Sequence, residues 1–147
     1  MAVNRSVPTD SALPHIAYPN VAEAVAWLVR VFGFIEHYRY GGNGEVSGAQ
    51  IYLGNSYIMI HSKPGQPTPA QLGYGTQSLT IFVDDVDKHF ATAKAEGARI
   101  VEEVHETIYG ERQYGAEDFA GHHWLFSRHA RDTAPEEWGA IVAKSPF

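Results

Sequence analysis

The chain carries one pattern of segments twice, and this internal repeat limits the fold more than any other feature of the sequence. The first copy is an extended stretch up to Asn20, followed by an apolar, alanine-rich segment that stops at Gly33. The second copy is an extended stretch up to Asp85, followed by a segment that stops at Gly97. The offset is 65 residues between Asn20 and Asp85 and 64 residues between the two glycines. Because both the starts and the stops match, the pattern indicates a duplicated module.

The two apolar segments predict helices at residues 21–32 and 86–96. Asn20 can accept hydrogen bonds from the exposed amides of a first helical turn, and Glu23 follows it at the spacing of a capping box. In the second segment, Val86, Phe90 and Ala93 recur at helical spacing, which predicts one buried face. The glycine after each segment suits the left-handed residue that closes a helix.

Three strands are predicted after each helix. Two turn glycines support the match, because Gly54 in "LGNSYIMI" and Gly121 in "AGHHWLFS" are 67 residues apart. The predicted strands are 34–40, 46–53 and 56–61 in the first copy and 99–103, 111–114 and 122–127 in the second. The sequence therefore predicts an α+β protein made of two βαβββ modules.

The predicted organisation is two modules with a linker between them and a short segment at each end. We predict a flexible N-terminal arm at residues 1–11 and a C-terminal helical tail at residues 129–147. Between them lie the first module at residues 12–62, the linker at residues 63–76 and the second module at residues 77–128. The prolines and glycines of the linker are typical of a loop. In the tail we expect a short amphipathic helix with Thr133 as its cap, Pro135 in its first turn, and Trp138 packed on the body or on a second subunit.

The composition excludes several classes of protein. The chain has 147 residues, of which 44% are hydrophobic, so a packed domain is expected. The absence of cysteine excludes disulfides, thiolate metal sites and thiol nucleophiles. A formal net charge of −6 disfavours nucleic acid as a partner. Because the sequence contains no apolar run of membrane or signal-peptide type, we expect a cytoplasmic protein without a membrane partner.

Three stretches carry a resemblance to a known family: "VFGF" after the first helix, "VDDVDKHFATAKAEGARI" at the start of the second module, and "YGERQYGAEDFAGHHWLF" at its end. Over roughly residues 12–128, the chain resembles the vicinal oxygen chelate superfamily, which contains glyoxalase I, extradiol dioxygenases, fosfomycin-modifying enzymes and bleomycin resistance proteins. The closing stretch is most similar to the glyoxalase/bleomycin-resistance-like proteins. The resemblance implies curved sheets around a cavity and, because relatives pair modules across a twofold axis, a homodimer.

The resemblance also implies where a metal ion would bind. Metal enzymes of the superfamily take ligands from the first and last strand of each module, and the matching positions here are Leu13, Ile58, Ser78 and Leu125. Leucine and isoleucine have no lone pair to donate, and a serine hydroxyl is a poor ligand for a divalent ion. We therefore expect the usual metal site to be missing and the protein to have no cofactor.

The adjacent histidines of "AGHHWLF" raise the question of a different metal site. Side chains alternate along a strand, so His122 and His123 cannot both face the cavity. Counting from Leu125 places His123 on the cavity face. Trp124 and Phe126 are then predicted to face the helices, where large aromatic side chains build a core. We expect His122 to be a turn residue.

His15 is predicted to lie across the sheet from His123, on the same face. The two side chains either hold a displaced metal ion or line a pocket as hydrogen-bonding groups. We favour the pocket, because two histidines without a carboxylate make a weak metal site. His61 is expected to be exposed at the end of a strand. The remaining histidines are predicted to lie at the surface: His37, His89, His105 and His129.

The segment "YGERQYG" is the most distinctive polar stretch. Arg112 and Tyr114 are predicted to share one face of a strand, with Tyr109 in the preceding turn. A guanidinium beside phenols can hold a carboxylate or phosphonate, or stack on an aromatic ligand. Alternatively, Arg112 pairs with an acid such as Glu117 or Asp118 and fixes the final hairpin.

Further candidates for a pocket come from alternation along two other strands. Gln50 and Tyr52 share one face of their strand, and together with Thr80 and Phe82 they predict a pocket of mixed polar and apolar character. The same alternation would also arise on the solvent side of an antiparallel strand.

Two functions are consistent with the sequence, and a purely structural module is a third option. The first is a protein that binds a small molecule, such as a drug or an aromatic metabolite, as bleomycin resistance proteins sequester drugs. Its predicted ligand-binding residues are His15, Gln50, Tyr52, Thr80, Phe82, Tyr109, Arg112, Tyr114 and His123. The second is a metal-dependent enzyme of the glyoxalase or dioxygenase type, with ligands moved to His15, His61 or His123. We favour the first.

Overall fold

A computed structural model describes residues 3–8 and 11–147 and contains two four-stranded sheets. The elements are β1 (His15–Tyr18), α1 (Val21–Phe32), β2 (Ile35–Tyr40), β3 (Gly48–Leu53), β4 (Ser56–Ser62), α2 (Pro69–Leu72), β5 (Ser78–Phe82), α3 (Val86–Ala95), β6 (Arg99–Glu106), β7 (Glu111–Glu117), β8 (His123–His129) and a 3-10 turn (Pro135–Trp138). The two βαβββ modules predicted from the repeat are confirmed. Residues 1–2 and 9–10 of the predicted N-terminal arm lie outside the described residues.

Both long helices begin where the sequence predicts, and α1 also ends at its predicted glycine. The Asn20 side chain accepts a hydrogen bond of 2.9 Å from the backbone amide of Glu23, and α1 ends at Gly33, which has a φ of 76°. The Asp85 side chain accepts a bond of 3.1 Å from an amide of the first turn of α3, which ends one residue earlier than predicted. Cap and stop residues act locally, and this is why the sequence identifies them.

The sheets repeat one topology. Their strand orders are β1-β4-β3-β2 and β5-β8-β7-β6. In each sheet the first strand pairs in parallel with the last, and the remaining pairs are antiparallel. One edge of the first sheet is therefore β1, and the equivalent edge of the second sheet is β5. Among residues 3–8 and 11–147, no helix has the length and apolar character needed to cross a membrane.

Each sheet has a helix face, packed under α1 or α3, and an opposite face, which we call the open face. Trp124 and Phe126 lie on the helix face of the second sheet with 0% exposure, as predicted. Because side chains alternate, His123, Leu125 and Ser127 lie on the open face. The predicted register of β8 is therefore confirmed.

The equivalent register in the first module is one residue away from the prediction. Ile58 is buried on the helix face, whereas Leu125, its match at an offset of 67, lies on the open face. The open-face counterpart of Leu125 is Met59, because each of these residues pairs with the equivalent position of the parallel first strand. Two residues connect β3 to β4, whereas five connect β7 to β8. Aligning the turn glycines Gly54 and Gly121 therefore does not align the strands that follow them.

The two modules share one hydrophobic core. Phe32, at the end of α1, packs against Trp124 and Phe126 of the second module, with ring centroids 5.8 and 4.8 Å apart. Phe34 also contacts Trp124, at 5.5 Å. Aromatic side chains of this size account for much of the apolar area that a core buries. The packing of β8 therefore depends on residues of the first module.

A buried carboxylate connects the same two modules. Asp118, in the β7–β8 connection, accepts hydrogen bonds from the Tyr18 hydroxyl at 2.6 Å and from the Trp124 indole at 3.1 Å. It also accepts bonds of 3.0 Å from the backbone amides of Ala120 and His122. Burial raises the pKa of Tyr18 well above its usual value, and the adjacent Asp118 charge raises it further, so the phenol keeps its proton. Asp118 was considered in the sequence only as a partner for an arginine.

His89 was expected at the surface, and the structure places it between the modules instead. Its Nε2 donates to the Phe32 carbonyl at 2.7 Å, which leaves Nδ1 to accept from the Tyr114 hydroxyl at 2.5 Å. Its ring also lies 4.1 Å from that of Phe126. The polar and charged residues beside His89 in the sequence gave no sign of this contact, because its partners come from other elements. The other three histidines predicted at the surface are exposed.

The linker contains one short helix that was not predicted. Thr68 caps α2 with a capping box, and the amide of Ala70 donates to the Ala120 carbonyl at 2.9 Å. Gly121 has a φ of 87°, and a Cβ at that position would lie 2.5 Å from the Ala70 nitrogen. The linker therefore packs closely on the β7–β8 connection, and glycine is required at the contact.

The tail differs from the predicted amphipathic helix. It forms a single 3-10 turn, and the residue before that turn is Ala134, so Thr133 is not its cap. Trp138 packs edge-on against Tyr109 with ring centroids 5.9 Å apart, which agrees with the expected packing on the body. A four-residue turn is too short for helical periodicity to identify.

Truncation of the two neighbours in β8 is predicted to have unequal effects. Trp124→Ala removes a fully buried indole and is expected to lower the free energy of unfolding by about 3–5 kcal/mol. His123→Ala removes a half-buried ring from the open face and is expected to cost much less. Urea unfolding followed by circular dichroism measures both values. A larger loss for His123→Ala than for Trp124→Ala would contradict the register of β8.

The stability of the protein is predicted to fall in mild acid because of His89. Burial lowers the pKa of His89 below its usual value of about 6.5. The unfolded chain therefore binds the proton first, and stability is lost as the pH falls below about 6.5 towards the pKa of the folded state. Melting temperatures measured across this range should fall less steeply in His89→Gln, which has no titrating ring. Equal slopes for the two proteins would contradict this role.

Candidate functional site

A cavity of about 340 Å³ lies where the edge strands β1 and β5 of the two sheets approach each other. The walls of the cavity are formed by residues 15–19, by the start of β5 and by residues 121–123. Residues of the linker cover it. We call this cavity the seam pocket. His15 and His123 both line it, but from two different sheets rather than from one face of a single sheet as predicted, because β1 belongs to the first sheet and β8 to the second.

His122 joins the two modules at this pocket. Its Nε2 donates to the backbone carbonyl of Ala17 at 3.1 Å, and its ring packs edge-on against Tyr18 at 4.9 Å. His122 directly precedes β8, so it lies at the predicted start of the strand, although the turn itself falls at residues 119–120. The adjacent histidines therefore have separate roles, since one bridges β1 and the other lies on the open face.

The open face of the first sheet is rich in aromatic side chains. It carries His15, Tyr38, Tyr40, Gln50, Tyr52, Tyr57, Met59 and His61. Tyr52 and Tyr57 stack with ring centroids 5.5 Å apart and planes 23° apart. Of the predicted site residues, His15, Gln50 and Tyr52 lie on this face. Gln50 is fully buried there, and both ends of its amide have partners. The oxygen accepts from His37 Nδ1 at 2.5 Å, and the nitrogen donates to the Met59 sulfur at 3.4 Å.

The prediction that His61 is exposed at the end of a strand is wrong. Its side chain is partly buried, and its ring contacts that of His15. The His15 Nδ1 and the His61 Nε2 are 2.5 Å apart. The pKa of His61 is lowered, first by its partial burial and then by the positive charge of His15 and Lys63. The other ring nitrogen of His61 lies 3.4 Å from the Tyr40 hydroxyl. A chain of three polar side chains therefore extends across the open face.

Gly48 makes this arrangement possible. A Cβ at Gly48 would lie 2.2 Å from the ring of Tyr40. Without a side chain at this position, the Tyr40 ring can lie across β3 and reach His61. The sequence gave no indication of this requirement, since the contact depends on pairing between β2 and β3.

The open face of the second sheet is polar and carries carboxylates. Gln113 is its centre, because the side-chain oxygen accepts from the Tyr109 hydroxyl at 3.2 Å and from Ser127 at 3.0 Å. The Gln113 nitrogen donates to Glu102 at 3.4 Å. His123 lies nearby, and its Nε2 is buried without a hydrogen-bond partner among the described residues. Gln113 belongs to the "YGERQYG" segment but was not among the predicted site residues.

Thr80 and Phe82 also lie on the open face of the second sheet, as the alternation of β5 requires. The ring of Phe82 is 57% exposed. Neither residue lines the seam pocket. Thr80 and Phe82 therefore belong to this open face and not to the pocket.

Two predicted site residues lie on the helix face instead. Tyr114 is fully buried under α3, where it bonds to His89, and burial raises its pKa. Arg112 forms two hydrogen bonds, of 2.7 and 3.0 Å, with the carboxylate of Asp87. The structural alternative predicted for this arginine is correct in kind, but the acid comes from α3 rather than from Glu117 or Asp118. The separation of two residues showed that Arg112 and Tyr114 share a face, but it could not show which face.

The residues at the family's usual metal positions do not fit a divalent ion. In the last strand of the first module, the residue on the open face is Met59 rather than the predicted Ile58. The thioether of methionine is also a poor ligand for a hard ion. The other three are Leu13, Ser78 and Leu125. Within the described part of the chain, no group of three or more histidine, aspartate or glutamate side chains is placed to hold a metal ion.

Comparison with known proteins agrees with this architecture. Residues 12–126 match the model of the Glyoxalase/Bleomycin resistance protein/Dioxygenase superfamily. An uncharacterized protein of Mycobacterium bovis is 27% identical over 151 residues, covering 97% of each chain. The crystal structure of TioX from Micromonospora sp. ML1 is 35% identical, with a TM-score of 0.67, and covers 80% of this chain and 96% of that one.

A more distant structure shows the same fold. The fosfomycin resistance protein FosX from Listeria monocytogenes is 15% identical, with a TM-score of 0.61, over 89% of this chain and 98% of that one.

Proposed function

The chain belongs to the Glyoxalase/Bleomycin resistance protein/Dioxygenase superfamily, and we propose that it is a member that binds a small molecule without the family's usual metal ion. The ligand we propose is a drug-like compound or metabolite with an aromatic ring. We place its binding in the seam pocket and on the adjoining aromatic open face. The role is that of a binding protein rather than an enzyme.

The observation that carries this proposal is the seam pocket. Its volume of about 340 Å³ lies at the lower end of the range of small-molecule sites, about 300–1,000 Å³. The pocket combines apolar side chains such as Leu72 with hydrogen-bonding groups such as His15, His123 and Gln77. A few polar groups in an apolar cavity are the usual means of orienting a ligand.

The aromatic open face supports an aromatic ligand. Tyr52 and Tyr57 provide flat apolar surface with a hydroxyl at the end, and they need little ordering when a ligand binds, because their rings already stack. The position of His15 supports a connection between this face and the pocket, since it belongs to both.

We further propose that the protein is a homodimer. The large apolar side chain of Phe82 is 57% exposed on an open face, and both sheets have free edges among their described strands. A second copy of the chain would cover such surfaces, and twofold pairing is the commonest arrangement of identical subunits. Sedimentation at micromolar concentration should return twice the mass of the chain, and the monomer mass alone would contradict the proposal.

A ligand of the seam pocket is predicted to be sensitive to one substitution at its wall. Leu72 lines the pocket and is 51% exposed, so Leu72→Arg places a long charged side chain there without disturbing the core. Aromatic compounds that raise the melting temperature of the native protein are first selected in a thermal-shift screen. Titration calorimetry should then show at least tenfold weaker binding of these compounds to Leu72→Arg, equivalent to about 1.4 kcal/mol.

The matched control is Ile141→Arg, which makes a comparable change at a tail residue that is 96% exposed and outside the pocket. Its affinity should equal that of the native protein. Binding that is unchanged in Leu72→Arg would place the ligand elsewhere, and a screen without any stabilising compound would count against the proposed function itself.

A further inference from the structure

We propose that His15 and His61 form a two-histidine binding site for a late first-row divalent cation, such as Ni²⁺, Cu²⁺ or Zn²⁺. The site differs from the positions at which the family's metal enzymes take their ligands. The proposal is independent of the proposed small-molecule binding, since it rests on the geometry of two imidazole rings.

The two rings meet end to end. Their planes differ by 4° and their centroids are 4.8 Å apart, while the two nearest nitrogens are 2.5 Å apart. The separation of the centroids is close to the nitrogen–nitrogen distance plus one ring radius at each end, so the rings lie nearly in one plane and do not overlap. Each ring therefore directs one nitrogen at the other. At 2.5 Å one of these nitrogens donates its N–H to the other, so a cation that displaces the shared proton has an imidazole nitrogen on each side of it.

The backbone holds the two rings in this position. In the parallel pair of β1 and β4, His15 lies opposite Met59, and Ala17 lies opposite His61. The two histidines are therefore diagonal neighbours on one face of adjacent strands, where side chains of this length reach each other. Both strands are hydrogen-bonded along this stretch, so the positions of the two Cα atoms are fixed.

A second side chain orients one of the two rings. The Tyr40 hydroxyl lies 3.4 Å from Nδ1 of His61, on the opposite side of the ring from His15. When Nδ1 carries the proton and donates it to Tyr40, Nε2 directs its lone pair towards His15. Partners of this kind fix the tautomer of metal-binding histidines. Gly48 provides the space in which the Tyr40 ring lies.

A cation fits after a small movement. Two bonds of about 2.0–2.1 Å at a tetrahedral angle place the two nitrogens about 3.3 Å apart. His15 is exposed, so rotation of its side chain can widen the separation from 2.5 Å to about 3.3 Å and tilt the two rings until their lone pairs meet at this angle. The remaining coordination positions would be open to water or to a chelating small molecule, since His15 also lines the seam pocket. Imidazole ligands favour copper, nickel and zinc over magnesium or calcium.

The test is calorimetric titration of the untagged protein with NiCl₂ in a buffer that does not chelate metals. We expect one Ni²⁺ per chain, held weakly and exchangeably because two histidines without a carboxylate make a weak metal site, and at least tenfold weaker binding in His15→Ala and in His61→Ala. The matched control is His129→Ala, which removes another exposed histidine from a strand and is expected to bind Ni²⁺ as the native protein does. A native protein that does not bind Ni²⁺, equal binding by His15→Ala and the native protein, or an equal loss in the control would overturn the proposal.

A second measurement does not depend on the folding of the variants. Paramagnetic Ni²⁺ added to the native protein in substoichiometric amounts should first broaden the ring proton signals of His15 and His61 in the NMR spectrum. Earlier broadening of the other histidine rings would place the ion elsewhere and contradict the site. Because both measurements use the metal alone, failure here would leave the proposed binding of aromatic compounds untouched.

Discussion

The buried Asp118 carboxylate is the interaction on which the arrangement of the two modules depends. A buried charge is costly unless it is fully hydrogen-bonded, and here the donors come from both modules. Tyr18 belongs to the first module, while Trp124 and two backbone amides belong to the second. Separating the modules would leave the carboxylate without one of its hydrogen-bond donors and the Tyr18 phenol without its acceptor. The same connection positions His122, which bridges to β1, so the seam pocket depends on it as well.

The elements of the fold could be predicted because their signals are local. A cap, an apolar face and a glycine stop occur within one helix, and two large aromatics at alternate positions identify the buried face of β8. The predictions that were wrong concern residues whose partners lie in distant parts of the chain. His89 has its partners on α1 and β7, and the arginine at position 112 has its partner on α3. The one-residue difference between Ile58 and Leu125 arises from the lengths of two connections, which a repeat in the sequence does not reveal.

The duplication has kept the helix faces similar and has made the open faces different. Both helix faces are apolar and join in one core. The open face of the first sheet carries tyrosines and histidines, whereas that of the second carries the Gln113 network and Glu102. Since a shared fold does not determine function, the chemistry of this protein is expected to lie in the residues that differ between the modules. Alternation along β3 and β5 identified Gln50, Tyr52, Thr80 and Phe82 on these faces, but it did not identify the polar centre at Gln113.

The most direct test of this account is a double-mutant cycle on Tyr18 and Asp118, measured by urea unfolding. Tyr18→Phe removes only the hydroxyl that donates to the carboxylate. It is predicted to lower the free energy of unfolding by about 1.5–3 kcal/mol in the native background, as expected for a buried hydrogen bond to a charged group. In the Asp118→Ala background, the same substitution is predicted to have almost no effect. Losses that agree within about 0.5 kcal/mol in the two backgrounds would show that the sites are independent and would contradict the account.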